Sequence, residues 1–337
     1  MSQKKSKESA GHDTVRVIVQ PDDGVEPIRS LIASATTDLL VKQFTFTEPH
    51  LIEAVIERHR QGIPVRVLLN AKNTEGQRAN DESYKAFKAA KVPVQWTNER
   101  FAVTHEKSLV VDRTKALIAT FNLAPKYLSE TRDYGVLTEH ASQVSDVMAC
   151  FEADWQRAEF TPRDDTGLLW SVANSREVMS SFIDTAKETL YVQHPKFVDA
   201  VILERLVGAQ ERGVKVHVLC GGKHGIKAHD LLDSMSSLRI LGRAGIKLRR
   251  QKRPKLHAKL LIADRQRCLL GSMNIHRDAF DRRRELGILS EAPGVVGRLL
   301  EIFEGDWHEA RHYEAPDPLA MIHDPDELPH DPDFVHG

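Results

Sequence analysis

Leu256-His257-Ala258-Lys259-Leu260-Leu261-Ile262-Ala263-Asp264, followed by Gly271-Ser272-Met273-Asn274, decides how the rest of this chain is read, because it occurs twice. The earlier copy is Thr104-His105-Glu106-Lys107-Ser108-Leu109-Val110-Val111-Asp112, followed by Ala119-Thr120-Phe121-Asn122. In both, a histidine is followed at +2 by lysine, at +7 by aspartate and at +17 by asparagine. A lone His-x-Lys arises easily by chance. Four matched positions in two copies do not.

The apolar residues after each lysine predict a buried strand. On a strand, residues i and i+2 share a face, so His105 points with Lys107 and His257 with Lys259. Glu106 and Ala258 point the other way, which is expected to leave their identity free. Asp112 and Asp264 open turns and are read as scaffold residues rather than acids in catalysis. The returning strands end at Thr120 and Ser272 and carry Asn122 and Asn274 back beside the histidines.

Outward from the motifs the whole pattern repeats. Residues 15–19 alternate as a strand, 27–35 have helical spacing with Pro27 in the first turn, 38–41 are a strand, 51–60 a helix stopped by Gly62, and 65–69 a strand. Residues 190–192 match 39–41 and residues 213–219 match 62–68 at an offset of 151, while His105/His257, Asn122/Asn274, Asp133/Glu285, Asp154/Asp306 and Trp155/Trp307 match at 152. A register that slips by a single residue over such a span is a duplicated domain rather than a short repeat. The expected organisation is a disordered polar tail over 1–13, one α/β half over 14–163, a second over 164–311, and a disordered acidic Pro-rich tail over 312–337. Two halves facing each other across a pseudo-twofold axis pool two histidines, two lysines and two asparagines in one cleft. Trp155 and Trp307 are expected as matching core anchors.

Two lysines and two amides converging on one place suit the oxygens of a phosphate diester. A neutral histidine can attack phosphorus while a second protonates the departing oxygen. Lysine charge would stabilise the transition state, so no metal and no cofactor are expected. A nucleophilic histidine needs its other nitrogen protonated and held, and each motif offers an acid at +28: Asp133 and Glu285.

These residues resemble the phospholipase D superfamily, whose signature is His-x-Lys-x4-Asp with a downstream Gly-Ser-x-Asn. The resemblance implies two α/β/α sandwich halves with mixed sheets, a site at their interface, and a phosphohistidine intermediate formed without metal. It implies His105 as nucleophile and His257 as acid. The resemblance is to the cardiolipin synthase/phosphatidylserine synthase-like branch, and Gln193-His194-Pro195-Lys196-Phe197 is similar to a segment following the equivalent strand in cardiolipin-synthase-like members. The first copy departs from the signature: Ala119-Thr120 stands for Gly-Ser, keeping the hydroxyl and adding a methyl at the turn.

The substrate is read from the surroundings. The chain has 47 basic and 48 acidic residues, but seven of the acids lie beyond position 311 with no Lys or Arg among them, leaving 47 basic against 41 acidic in the body. From Arg243 to Lys259 there are eight basic residues and no acid, and Arg249, Arg250, Lys252 and Arg253 are read as a substrate approach for a polyanion or an anionic membrane surface. Interleaved aromatics that would stack bases are absent there. The expected substrate is a phospholipid phosphodiester, with water or an alcohol as acceptor. A nuclease of the same superfamily is the alternative, and a non-catalytic phosphate- or nucleic-acid-binding module the third reading. His224 with His229 carries no ligand pattern for a metal, and Gly221-Gly222-Lys223 lacks the remaining spacing of a P-loop. Three cysteines without Cys-x-x-Cys spacing, a polar N-terminus, and no apolar run of membrane-spanning length fit a cytoplasmic protein touching membranes peripherally at most, with one chain sufficient for a complete site.

Overall fold

The computed structural model describes residues 15–221 and 228–317. The expected N-terminal tail, residues 224–227 of the His224–His229 segment, Gly222-Lys223, and the acidic tail beyond 317 lie outside the described residues.

In chain order the first half runs β1 (Val15–Gln20), α1 (Glu26–Ala33), β2 (Leu39–Gln43), α2 (Pro49–Arg60), β3 (Val65–Leu69), α3 (Asp81–Ala89), β4 (Val94–Trp96), β5 (Lys107–Val111), β6 (Lys115–Ala119), α4 (Pro125–Ser129), β7 (Thr131–Thr138) and α5 (Ala141–Gln156). The second runs β8 (Leu168–Ser171), α6 (Ser175–Asp184), β9 (Thr189–His194), α7 (Ala200–Glu211), β10 (Lys215–Cys220), α8 (Ala228–Arg243), β11 (Lys247–Arg250), β12 (Lys255–Leu256), β13 (Leu260–Ala263), β14 (Arg267–Gly271), α9 (Arg277–Asp281), β15 (Glu285–Ser290), α10 (Pro293–Glu309) and β16 (Arg311–His312).

Each half is one mixed sheet. The first is ordered β1-β7-β6-β5-β2-β3-β4, and the second β8-β15-β14-β13-β9-β10-β11 with β16 added at the far edge. Strand for strand the orders coincide, which is the duplication expressed as topology. β2, β3 and β4 pair in parallel, whereas β5, β6 and β7 form antiparallel hairpins. The motif strands β5 and β13 are central in their sheets, so both faces are covered and they read as unbroken apolar runs.

Three cores follow. Helices α1–α3 cover the outer face of the first sheet, burying Ile28, Leu51 and Phe87. Helices α6–α8 do the same for the second, around Phe182, Leu206 and Leu241. The inner faces of both sheets, with α5 and α10 between them, make one shared core in which Val110, Ile118 and Phe151 meet Ile262, Leu270 and Phe303. The halves are thus joined by packing as well as by chain. Among the described residues no helix is long and apolar enough to cross a membrane.

The motif aspartates act where turns were expected. Asp112 and Asp264 have φ of 52° and 53°, in the left-handed region that aspartate tolerates better than most residues. Each carboxylate accepts backbone N–H groups from the loop ahead of a neighbouring strand: Thr36 and Thr37 at 2.8 and 2.7 Å from Asp112, and Lys187 and Glu188 at 3.1 and 2.7 Å from Asp264. These bonds hold both carboxyls below the usual range, in spite of burial. Neither aspartate reaches the histidines' surroundings. They lock the hairpins.

Trp155 and Trp307 are half-buried at the rim of the shared core. The buried member of each matched pair is the preceding aspartate, Asp154 or Asp306, at 1 % and 8 % exposure. The reason lies in a crossing of the two halves.

Candidate active site

The strand that leads into each histidine leaves its own sheet and pairs with the other half. His105 and Glu106 both donate their backbone N–H to Arg284 O, at 2.8 and 3.0 Å, and His257 and Ala258 do the same to Arg132 O, at 3.2 and 2.8 Å. β12 is a parallel neighbour of β7, with Leu256 opposite Arg132. Each histidine therefore sits one residue from the other half's acid. The acids at +28 orient in trans: His105 Nδ1 lies 2.9 Å from Glu285 Oε2, and His257 Nδ1 lies 2.7 Å from Asp133 Oδ1.

The crossing is fixed electrostatically from behind. Arg132 donates to Asp306 at 2.8 Å and Arg284 to Asp154 at 2.9 Å, so the arginine beside each acid is anchored by the last helix of the opposite half. Both arginines are buried, which makes removal of one partner costly.

Tautomers follow from the partners. His105 Nδ1 faces two acceptors, Glu285 and Ser272 O at 3.2 Å, so its hydrogen is on Nδ1 and Nε2 carries the lone pair. His257 Nδ1 likewise donates to Asp133, and its Nε2 accepts from Lys259 Nζ at 3.0 Å. Lys107 Nζ donates to His105 O at 2.6 Å, and Lys259 Nζ donates to His257 O. Both lysines are thus folded back against their own histidines, as the shared strand face predicts.

Burial sets the protonation. It pushes His105 well below the usual histidine range, helped by Lys107 and Arg283. It pushes His257 down to about 4 against the opposing pull of Asp133. Lys107 is driven well below the usual lysine range, again by burial first, and Lys259 down to about 8. Below about pH 8 Lys259 holds its proton against His257 Nε2, and His257 stays neutral above about 4. The carboxylates diverge. Burial would raise Asp133, but His257 and Lys259 outweigh it and hold it low, and its oxygens also accept from Thr120 and Thr131 at 2.6 Å each. Glu285 is pushed up to about 7 by burial, and its Oε1 has no hydrogen-bond partner. Ser272, the counterpart of Thr120, donates instead to Leu286 O at 3.3 Å.

Asn122 and Asn274 are buried with amide oxygens that no protein group engages. They are poised for a ligand.

The Ala-for-Gly exchange has a packing cause. Gly271 lies opposite Gly287, and a Cβ on Gly271 would stand 2.5 Å from Gly287 Cα. Ala119, opposite Gly135, has its methyl accommodated in the first core at 3 % exposure.

Glu106 corrects the expectation of a free position. It is fully buried and accepts from Lys42 Nζ at 3.0 Å, while Lys42 also donates to Asp154 at 2.8 Å. Burial alone would depress Lys42, but Asp154, Cys150 and Glu106 together hold it above its ordinary value. The second half fills the same place with Gln193 and Ala258, and Gln193 Nε2 donates to Asp306 at 2.8 Å. Glu106, Cys150 and Asp154 cluster closely enough for a metal ion, but the Lys42 ammonium already neutralises them.

The basic approach is partly consumed by the fold. Arg249 donates to Trp307 O at 2.6 Å with its guanidinium 5.0 Å from that ring, so it belongs to the scaffold. Arg250, Lys252 and Arg253 line a cleft of about 810 Å³ along the segment entering His257.

Three neighbours were missed from sequence. The Phe44 and Tyr127 rings each stand 4.6 Å from a histidine ring, His105 and His257 respectively. Arg283, in the bend before β15, is close enough for its charge to act on both His105 and Glu285, and its buried Nε has no partner. A signal was available for Arg283, since the first copy carries Thr131 at that position.

Comparison with known proteins places this geometry. The sequence model of a family described as "Cardiolipin synthase, PLD-like domain" matches residues 28–155 and 179–307. Cardiolipin synthase A of Pseudomonas aeruginosa is 24% identical, over 91% of this chain and 69% of the relative. Cardiolipin synthase of Clostridium perfringens is also 24% identical, over 76% of this chain and 61% of the relative. Among solved structures, phosphatidylserine synthase of Haemophilus influenzae superposes with a TM-score of 0.69 at 14% identity, covering 90% of this chain and 88% of that one. Polyphosphate kinase of Porphyromonas gingivalis superposes with a TM-score of 0.70 at 14% identity, covering 91% and 52%. These last two likenesses concern the fold.

Proposed function

Because the chain belongs to the cardiolipin synthase, phospholipase D-like domain family, we propose that it is a phosphatidyltransferase or phosphodiesterase acting on phospholipid phosphodiester bonds through a phosphohistidine. The observation that carries this reading is the crossed pair of histidine–carboxylate contacts, 2.9 and 2.7 Å, set among two lysines and two buried asparagines.

His105 Nε2 attacks phosphorus as the bond to the leaving alkoxide breaks, and that oxygen receives a proton that His257 Nε2 takes from Lys259. Glu285 stabilises the positive charge that His105 gains. Lys107, Lys259, Asn122 and Asn274 stabilise the equatorial oxygens, the lysines swinging from the histidine carbonyls onto the phosphate. In the second step His257 takes a proton from water or an alcohol, the new oxygen bonds phosphorus, and His105 is released. The lysines supply the charge that a divalent ion would otherwise bring. In this reading the chain works from the cytoplasm, peripherally at a lipid surface.

Incubation with labelled phospholipids and nucleic acids, with and without chelator, tests this. Turnover of phospholipid that survives chelation, with label retained on His105 in wild type quenched with denaturant at alkaline pH and absent from His105→Ala, is expected. Turnover confined to nucleic acid would transfer the same chemistry to a nuclease. Loss of turnover in chelator would sink the two-histidine scheme.

A further inference from the structure

Beside the histidines the first half has a pocket of about 440 Å³, between the loop after β2, the segment from Asn70 to Asn80, and the start of α4. Its inner wall is Phe44 and Tyr127, the two rings packed on His105 and His257. Thr45, Thr47, Ala79 and Pro125 continue it outward. The pocket thus adjoins the catalytic cluster across these two rings.

Amides in its lining do not make it polar. Asn80 accepts from Phe46 N at 2.8 Å and donates to Phe44 O at 2.7 Å and Asn70 O at 3.0 Å. Asn70 accepts from Thr104 N at 2.9 Å and donates to Lys72 O at 2.8 Å. Their hydrogen-bonding capacity is spent on the protein's own backbone, so they offer little to the edge of a base or a sugar. At the mouth stand Lys72, exposed, and Lys126, half-exposed. A dry socket next to a phosphate site, with cations at its lip, fits an apolar chain attached to an anionic head.

We propose that this pocket takes one acyl chain of the phospholipid substrate, fixing the diacylglycerol side of the scissile phosphate on the first half. The inference rests on the phosphatidyl reading above and names how that substrate is held. A methylene occupies on the order of the 30 Å³ share of a water molecule, so the pocket accommodates one chain rather than two. Each methylene taken up is worth about fourfold in affinity.

The test compares monomeric phosphatidylglycerols of increasing chain length with bis(p-nitrophenyl) phosphate, which has no chain. Wild-type kcat/KM should rise about fourfold per methylene until the pocket is filled. Ala79→Trp, which plugs the mouth, should flatten that rise at least tenfold over the series and leave bis(p-nitrophenyl) phosphate turnover within twofold. Thr47→Phe is the second variant, should the first not fold. A phospholipid with a diazirine at the end of one chain should label the peptides holding residues 44–47 and 124–127. Chain-length dependence that is absent in wild type or unaltered by the plug, with phospholipid still turned over, overturns the pocket's assignment alone. Turnover of bis(p-nitrophenyl) phosphate and nucleic acid without any phospholipid overturns it together with the phosphatidyl reading.

Discussion

The molecule solves one packing problem twice with different residues, and exchanging the solutions tests the account of its interior. Lys42 and Glu106 are both 0 % exposed at 3.0 Å. Glu106→Ala strips the ammonium of one carboxylate and leaves it Asp154 and Cys150. Breaking a buried pair costs about 3–5 kcal/mol, and the remaining partner puts this case near the lower end. Lys42→Gln alone strands Glu106 beside Asp154 at similar cost. The double change Lys42→Gln/Glu106→Ala installs the set found in the second half, where Gln193 donates to Asp306. It should fall within about 1–1.5 kcal/mol of wild type, the residue being the Ser108 hydroxyl, which loses its 2.7 Å bond to Glu106. Urea unfolding reads this directly: at a slope of about 3 kcal/mol per molar, each single change should lower the midpoint by roughly 1 M and the double by less than half of that. The coupling energy is then several kcal/mol. Single effects that simply add in the double variant would refute the claim that Glu106 is retained for Lys42.

Other expectations concern the site. The pH profile of kcat/KM should be a narrow bell: activity is lost as pH falls through about 7, where Glu285 gains its proton, and as pH rises through about 8, where Lys259 loses its own. Glu285→Gln should remove the acid limb, and survival of that limb would assign it elsewhere. Asp133 is held low, so Asp133→Asn should lower kcat across the whole range by about 100-fold or more, without moving the acid limb. Arg283→Ala should reduce kcat/KM about 10- to 100-fold, the worth of one hydrogen bond to a charged group, chiefly through KM and with an unchanged melting temperature; a melting shift without a kinetic one would make it structural. Gly271→Ala should destabilise by about 1–3 kcal/mol through overpacking against Gly287, visible in the same urea titration.

Much of this molecule was legible in its sequence for a physical reason: duplication turns spacing into evidence. The period-2 faces of 105–111 and 257–263, the turns at Asp112 and Asp264, and the offset of 151–152 fix strand order and put His105 and His257 in one cleft. The helix expected over 27–35 spans Glu26–Ala33, and the strand over 38–41 spans Leu39–Gln43, shifts that belong to capping and pairing rather than pattern. What spacing cannot carry is partnership across the interface. That Asp133 serves His257 and Glu285 serves His105 depends on where the two leading strands dock, and no separation along the chain encodes that. Glu106 was misread for the same reason: its partner Lys42 lies on a neighbouring strand. Arg249 counted as a free cation until the chain folded its own Trp307 beneath it.

The trans pairing of histidines and acids also bears on when the chain acquires reactivity. During synthesis the first half emerges with His105, Lys107 and Asn122 in place, yet the carboxylate that sets its tautomer is Glu285, and the backbone oxygen that holds its strand belongs to Arg284. Until those residues leave the ribosome and dock, His105 is an ordinary imidazole. On the proposed reading, the site is assembled only when the second half has emerged and docked on the first.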